Sequence, residues 1–564
     1  LKNPASGFPW KYWRPKLLDQ LPSYTSANFI SDLIAGITVG LVALPMAMAF
    51  GIASGVTPQA GIYTAIIGGF LVSLLGGSTI QIGGPTGAFV VIVAGIIAKY
   101  QLDGLLMVTM MAGVILLLLG LTGLGTAVRY IPRPVVIGFT NGIALLIAST
   151  QIKDFLGLSI ASVPSEFLPR MAALSRDLPS INGSAVTVGL LSLAIILITP
   201  RLFPRVPGII VALVAGTLAA ALFHLPVETI GSRFGGIPAG LPPFHIPEFH
   251  LNLIPPLLPA AFTVAMLAAV ESLLSAVVGD SMTGDRHNSN TELIAQGAAN
   301  LIVPLVGGIP VTGAIARTAT NFRSGARSPI AGIIHAVTLL AVILALAPLA
   351  KYIPLATLAA ALFVVAYNMG EWKEIPGIVR LELADKSVWL ITFLLTVVAD
   401  LTLAVEVGMA LAALLYIQRV AATTTVSRVT PEYIEEGHQH SLQGHTIPPY
   451  VAILRIHGPF LFGTTEGLAD ASADLEGFPS IVVLRLRNMT AIDATGLHAL
   501  ETLSDRLKQS GRVLILCGAR RQPEKFLDRA EFIEHIGARN IQPNVATALT
   551  RAEEIHLERQ PHAV

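Results

Sequence analysis

The sequence predicts a polytopic α-helical membrane domain followed by a small α/β domain. Three observations carry this. Of 564 residues, 53% are hydrophobic and only 13% are charged. Long runs such as Leu105–Leu121 and Ile330–Leu349 contain no Lys, Arg, Asp or Glu. After Arg419 the apolar character stops, and a polar stretch leads into alternating strand-like and helix-like patterns. A membrane crossing takes about 20 apolar residues, so residues 31–419 have room for about 14 spans.

Residues 1–30 carry Lys11, Arg14 and Lys16 among aromatics and prolines, which reads as a cytoplasmic lead-in; no cleavable signal peptide is expected. The expected spans are 31–50, 58–76, 86–99, 104–122, 133–150, 185–199, 208–223, 257–279, 292–306, 313–326, 329–349, 353–368, 386–400 and 401–419. An even number of crossings puts both termini on one side. Arg129 and Arg133, Arg201 and Arg205, Arg323 and Arg327, and Lys373, Arg380 and Lys386 fall in connections on that side. The opposite connections are poorer in basic residues, and Arg170, Arg176 and Arg233 sit in the two long loops 151–184 and 224–256. Both termini are therefore expected in the cytoplasm.

Two segments are interrupted at matching places: Gly83-Gly84-Pro85-Thr86-Gly87-Ala88-Phe89, and Gly307-Gly308-Ile309-Pro310-Val311-Thr312-Gly313-Ala314-Ile315-Ala316-Arg317. Each opens a short apolar run, and each is third in its set of seven spans. Related sets of seven must insert with opposite topology, so the pattern implies a seven-plus-seven inverted repeat. A helix that begins in mid-membrane leaves its first N–H groups unpartnered, and its positive end can hold an anion. The plainer alternative is two kinked spans, since Gly and Pro are common in membrane helices. The pairing of the breaks favours a transport site.

Glu271 stands alone in the apolar stretch Phe262–Ser275. Hydrocarbon burial disfavours a charged carboxylate, so Glu271 must face a cavity or a partner, or carry a proton. A structural hydrogen bond to a neighbouring helix is the simpler alternative. Ser275 lies one turn on, along the same helix face. Arg317 follows the second break and keeps its charge when partly buried, so it can attract an anion or pair with Glu271; otherwise it snorkels toward the cytoplasm. Arg323 and Arg327 read as inside-positive anchors. His335 reads as structural, Asp400 as part of an outer turn, and His438 with His440 as a solvated segment lacking zinc-site spacing.

Residues 420–448 form a polar linker, and a soluble domain is expected over 449–564. Its strands are Val451–Ile456, Ile481–Leu486 and Val513–Leu516, alternating with helical patterns over Ala494–Leu507, Gln522–Arg529 and Thr547–Ile555. No phosphate-binding Gly-rich Lys motif is present to support nucleotide hydrolysis. The single cysteine, Cys517, excludes an intrachain disulfide and fits a cytoplasmic domain. A net charge of +1 gives no reason to expect nucleic acid as a partner.

With these features the chain resembles the sulfate permease (SulP) family of anion transporters. The resemblance rests on Asp32-Leu33-Ile34-Ala35-Gly36-Ile37-Thr38-Val39-Gly40 with Ala43-Leu44-Pro45, on Pro58-Gln59-Ala60-Gly61-Ile62-Tyr63-Thr64-Ala65, on Gly84-Pro85-Thr86 and on Glu271-Ser272-Leu273-Leu274. The C-terminal part resembles the family's STAS domain, with Asp493-Ala494-Thr495-Gly496-Leu497 at a strand-to-helix turn. The resemblance implies core and gate domains, with the anion held between the starts of the third and tenth helices. By position that site is Thr86, Gly87, Ala88 and Phe89 with Ala314, Ile315, Ala316 and Arg317. It also implies an acidic coupling residue on the eighth helix, the position of Glu271 with Ser275 nearby, a homodimer in a bacterial inner membrane, and a cytoplasmic protein partner at the STAS domain. The usual hydroxyl before Thr495 is replaced by Ala494, leaving Thr495 as the one candidate for regulatory phosphorylation. Its simpler role is to cap the following helix.

The expected function is secondary active transport of a small inorganic or carboxylate anion (dicarboxylate, sulfate or bicarbonate). No enzymatic activity, cofactor or metal centre is expected. A proton is the expected coupling ion, because a desolvated glutamate can take one up, whereas sodium needs several oxygens that Ser272, Ser275 and Thr312 offer only in part. Sodium coupling, uncoupled exchange, a nucleobase carrier of the same fold, an anion channel and a membrane-tethered sensor are the alternatives.

Overall fold

The computed structural model describes residues 13–559 apart from 126–131, 161–162, 165, 204–205, 238–239, 241, 243, 245, 249, 400, 430–446 and 474–476. Chain contacts divide it into two compact units, Leu1–Ala410 and Leu411–Val564.

In the first unit the helices follow the apolar runs closely. They are α1 (Ser26–Ala53), α2 (Pro58–Leu75), α3 (Ala88–Leu121), α4 (Arg133–Leu156), α5 (Gly183–Leu202), α6 (Gly208–Leu222), α7 (Ile254–Thr283), α8 (Ser289–Ile302), α9 (Ile315–Arg323), α10 (Ile330–Ala350), α11 (Leu355–Met369), α12 (Leu383–Val398) and α13 (Leu401–Thr423), the last running across the division. Among the described residues, eight helices are long and apolar enough to cross a membrane. Helix α3 holds the third and fourth expected spans, separated where Gln101 takes φ 58° inside an otherwise helical run. That strained residue replaces the polar connection expected over 100–103. The fourteen expected spans thus all have a helical counterpart.

The helices pack in two groups. In one, α1 lies on α10, α2 on α8 and α10, α3 on α7 and α8, and α9 on α7. In the other, α4 lies on α11 and α12, and α5 on α6 and α11. The members come from matching positions of the two halves, which is the seven-plus-seven arrangement divided into core and gate. Glycine permits the tightest approach: a Cβ on Gly36 of α1 would lie 2.6 Å from the Ala331 carbonyl of α10.

The two breaks meet at the centre of the first group. Gly83–Gly84 (β1) pairs antiparallel with Thr312–Gly313 (β2), Gly83 opposite Gly313 and Gly84 opposite Thr312. Backbone donors and acceptors freed by interrupting the helices are satisfied by each other rather than by lipid, which cannot accept or donate. Side chains complete the closure. Asn300 of α8 donates to the Val311 carbonyl at 2.8 Å and accepts from its amide at 3.0 Å. Thr64 of α2 accepts from the Ile309 amide at 2.8 Å.

The second unit is a five-stranded sheet in the order β3 (Thr425–Val429), β4 (Val451–Phe460), β5 (Ile481–Ile492), β6 (Val513–Cys517), β7 (Ile541–Gln542). Strand β3 is antiparallel to β4 and the other pairs are parallel. Strand alternation divides the apolar side chains between two cores. Ala452, Leu454, Ile456, Val482, Leu484 and Leu516 pack with Leu500, Leu503 and Leu507 of α14 (Ala494–Gln509). Val451, Ile453, Ile481, Val483, Ile515 and Cys517 face Ala548, Ala552 and Ile555 of α15 (Val545–Arg559). A mostly parallel sheet covered on both faces is the layered domain that the strand and helix alternation predicts.

Candidate functional site

The β1–β2 crossing places two helix starts side by side, α3 beginning after Gly87 and α9 after Ala314. Neither start has a side-chain cap. The backbone ladder of α9 opens with the Thr318 amide donating to the Ala314 carbonyl at 2.9 Å, so the amides of Ile315, Ala316 and Arg317 precede it. Two uncapped N-termini therefore converge in the core of an apolar unit, the geometry that favours a negative charge.

Of the eight residues expected around the anion, the structure gathers all at these starts, but on different faces. Gly87, Ala88, Phe89 and Ala314 are buried, Thr86 is half-buried, and Ile315 and Ala316 are exposed. At Gly87 a Cβ would lie 3.0 Å from Ile147 Cδ1 of α4, 3.3 Å from Met369 Sδ of α11 and 3.4 Å from Phe50 Cε1 of α1. The first helix start is thus the point at which the two helix groups face each other.

Glu271, half-buried on α7, accepts from Thr86 Oγ1 at 2.7 Å. This joins the expected coupling residue to the expected anion site. Ser275 shares a hydrogen bond of 2.9 Å with Thr318 Oγ1 of α9, and that hydroxyl also accepts from the Ile82 amide at 3.1 Å. Ser275 therefore turns toward α9, one turn away from the Glu271 carboxylate.

Arg317 does not pair with Glu271. It is 3% exposed, and its Nη2 donates to the Pro85 carbonyl at 2.5 Å. Nη1 packs where a Gly84 side chain would be and has no protein partner. The arginine reaches across beneath the β1 turn because β2 carries α9 directly against Gly84, which at φ 154° presents bare backbone. The cation sits behind the first helix start rather than snorkelling to the membrane surface. Buried His335 on α10 has no hydrogen-bond partner on either ring nitrogen. Asp400, His438 and His440 lie outside the described residues.

The structure adds a cluster that spans and breaks did not reveal. Glu292 of α8, fully buried, accepts from Gln81, Ser272, Gln296 and the Gly77 amide. A signal existed in the sequence: Glu292, Gln296 and Asn300 recur every four residues, a polar stripe along one face of a membrane helix.

In the second unit the expected cap is corrected. Asp493, not Thr495, is the N-cap of α14, its Oδ1 accepting from the Gly496 amide at 2.9 Å while Oδ2 accepts from the Phe462 amide at 2.9 Å. A carboxylate reaches two amides where one hydroxyl would serve one, and Thr495 is left exposed in the first turn. Burial pushes the Cys517 thiol up to about 11, partly opposed by the Arg485 guanidinium.

Comparison with known proteins agrees with this architecture. YvdB of Bacillus subtilis (strain 168), whose name assigns it provisionally to sulfate transport, is 42% identical over 516 residues, covering 91% of this chain and 96% of YvdB. The bicarbonate transporter BicA of Picosynechococcus sp. is 32% identical over 536 residues, covering 90% of this chain and 92% of BicA. The structure of murine Solute Carrier 26 family member A9, an anion transporter in the inward-facing state, superposes with a TM-score of 0.86 at 19% identity, covering 98% of this chain and 96% of that one. The transmembrane domain of a cyanobacterial BicA gives 0.61 at 34% identity, covering 69% of this chain and 98% of its own. Residues 445–548 match the STAS domain and residues 29–392 match the sulfate permease family, and the chain belongs to that family.

Proposed function

We propose that this protein is a proton-coupled symporter of a small oxyanion, working by alternating access between its two helix groups. The single observation that carries the reading is the 2.7 Å bond from Thr86 to Glu271. It ties a carboxyl group able to exchange a proton to the helix start that faces the anion, so the occupancy of one site alters the other. The engagement of the nearby hydroxyls argues for a proton over sodium: Ser272 donates to Glu292, Ser275 pairs with Thr318, and Thr312 donates to the Ala268 carbonyl. Sodium would have to displace several of these bonds to assemble its ligands.

Sulfate and bicarbonate are the first substrates to test, because the relatives named for them match almost the full length of this chain. Dicarboxylates are the third class, since helix starts recognise a carboxylate by the same chemistry. Operation as a homodimer in a bacterial inner membrane, with cytoplasmic termini and a protein partner at the STAS domain, belongs to the same proposal. Uptake of labelled sulfate, bicarbonate and succinate into proteoliposomes, under imposed proton or sodium gradients, tests the reading. Accumulation driven by an inward proton gradient is expected. Accumulation that follows only the sodium gradient overturns the coupling.

A further inference from the structure

The breaks and Glu271 account for the anion-facing side of the core; the buried cluster behind them has no part in that account. Five groups from three separate segments converge there. Ser272 Oγ donates to Glu292 Oε1 at 2.9 Å. Gln81 Nε2 lies 2.8 Å from Ser272 Oγ and 3.0 Å from Glu292 Oε1. Gln296 Nε2 lies 2.9 Å from each of the same two oxygens. The Gly77 amide donates to Glu292 Oε2 at 3.0 Å. Glu292, Ser272, Gln296 and Gln81 are all at most 3% exposed.

These hydrogens are shared out completely. Two on each amide, one on the serine and one on Gly77 supply all six contacts, and every contact ends on Glu292 or Ser272. No Lys or Arg forms an ion pair with Glu292 among the described residues. The charged groups on the elements around α8 are Lys99 and Asp103 of α3, Glu271 and Asp280 of α7, Asp285, Arg286 and His287 in the turn that follows α7, and Arg317 and Arg323 of α9. Of these the His287 ring is held by Asp280 at 2.6 Å. The Glu292 carboxyl group is thus stabilised by neutral donors, and it serves as the one acceptor able to bind all of them together.

The position of those donors gives the cluster its consequence. Gly77 and Gln81 lie on the stretch of chain that leaves α2 and becomes β1, just ahead of Pro85 and the α3 start. Ser272 is the residue after Glu271. We infer that Glu292 is a positioning residue for the anion site: it clamps the 77–81 arm to α7, and so fixes the distance between Thr86 and Glu271. None of the five groups belongs to the two helix starts. The inference rests on the proposed transport reading only for what the clamp serves, not for its existence.

The test separates the two. In the full-length protein, Glu292→Gln keeps size and shape but faces the Gly77, Gln81 and Gln296 donors with a donor of its own. Exchanging the pair, Glu292→Gln with Gln296→Glu, restores one carboxylate: the amide now at position 292 accepts from Gly77 and donates to the new acid, which takes up Ser272 and Gln81. Amide hydrogen exchange across 77–87 and sulfate and bicarbonate affinity are measured for both variants. The single variant is expected to exchange about tenfold faster over 77–87 and to bind about tenfold or more weakly, the size of one or two lost charge-assisted bonds. The exchanged pair is expected to recover both. Wild-type exchange and affinity in Glu292→Gln overturn the clamp, as does failure of the exchanged pair to recover either. Glu292→Asp, which keeps the acceptor on a shorter stem, is expected to lie between wild type and Glu292→Gln if the latter folds poorly; behaviour as severe as Glu292→Gln also overturns it. If wild type binds neither anion, the transport reading falls while the exchange measurement still decides the clamp.

Discussion

Thr86 and Glu271 are 185 residues apart in the chain and are joined by a hydrogen bond of 2.7 Å. The bond connects the loop that starts α3 to the only acidic residue in the apolar middle of α7. It exists because β1 and β2 cross, which fixes where α3 can begin relative to the helices packed beside it.

Gly87→Leu is expected to abolish anion binding in a protein that still folds. The position already lies within 3.4 Å of Ile147, Met369 and Phe50 for a single added carbon, so a larger side chain fills the space before the helix start. Isothermal titration with sulfate or bicarbonate, alongside thermal unfolding, checks this. Wild-type affinity in a folded variant would remove Gly87 from the site.

Arg317→Ala is expected to weaken anion affinity by about 10- to 100-fold, the loss of a charge-assisted bond worth about 1.5–3 kcal/mol. Arg323, exposed at the far end of α9, is expected to change affinity by no more than about twofold when replaced by Ala. Direct binding measurements on the two variants rank them. A larger effect at Arg323 would move the site a turn or more along the helix.

Glu271→Gln preserves the bond to Thr86, since an amide oxygen can accept it, but it cannot exchange a proton. Anion binding is expected to persist while accumulation under an inward proton gradient is lost, with residual flux insensitive to pH. Proteoliposome uptake at stepped external pH checks this. Accumulation equal to wild type under the same gradient would assign coupling elsewhere.

Cys517 supplies a pH prediction for the second unit. Its thiol is 1% exposed on β6, and burial raises it to about 11. An unfolded thiol loses its proton at its lower ordinary value, so between that value and about 11 the unfolded chain binds fewer protons than the folded one. Stability therefore falls as pH rises through this window and is independent of Cys517 below it. Thiol labelling of the native protein should be slow, and denaturant midpoints should fall across the window in wild type more than in Cys517→Ala. Equal slopes would show that the thiol is not protected.

Much of this was legible in the chain because it depends on local composition. Apolar length sets the spans, and Arg133, Arg201 and Arg323 mark their ends. Gly84-Pro85 and Gly313-Ala314 interrupt helices wherever they are placed, since glycine and proline act through backbone freedom and a missing donor. The alternation over 451–456 and 481–486 sends side chains to opposite faces of a sheet without reference to anything distant. The polar stripe of Glu292, Gln296 and Asn300 is equally local, a four-residue repeat along one helix face, but the repeat does not say which groups it meets.

What the tertiary structure decided is which distant groups meet. Arg317 and Glu271 carry opposite charges, and their pairing is one of the readings the sequence leaves open, yet the crossing of β1 with β2 brings Pro85 nearer and turns the arginine behind the helix start. Asp493 displaced Thr495 as a cap because β4 ends beside it and offers the Phe462 amide as a second donor. Glu292 became a hub only when α8 packed against α7 and the chain after α2. Hydrogen bonds have short reach and strict direction, so their partners depend on how helices pack over hundreds of residues, whereas the preference of a segment for lipid or water is set within about twenty.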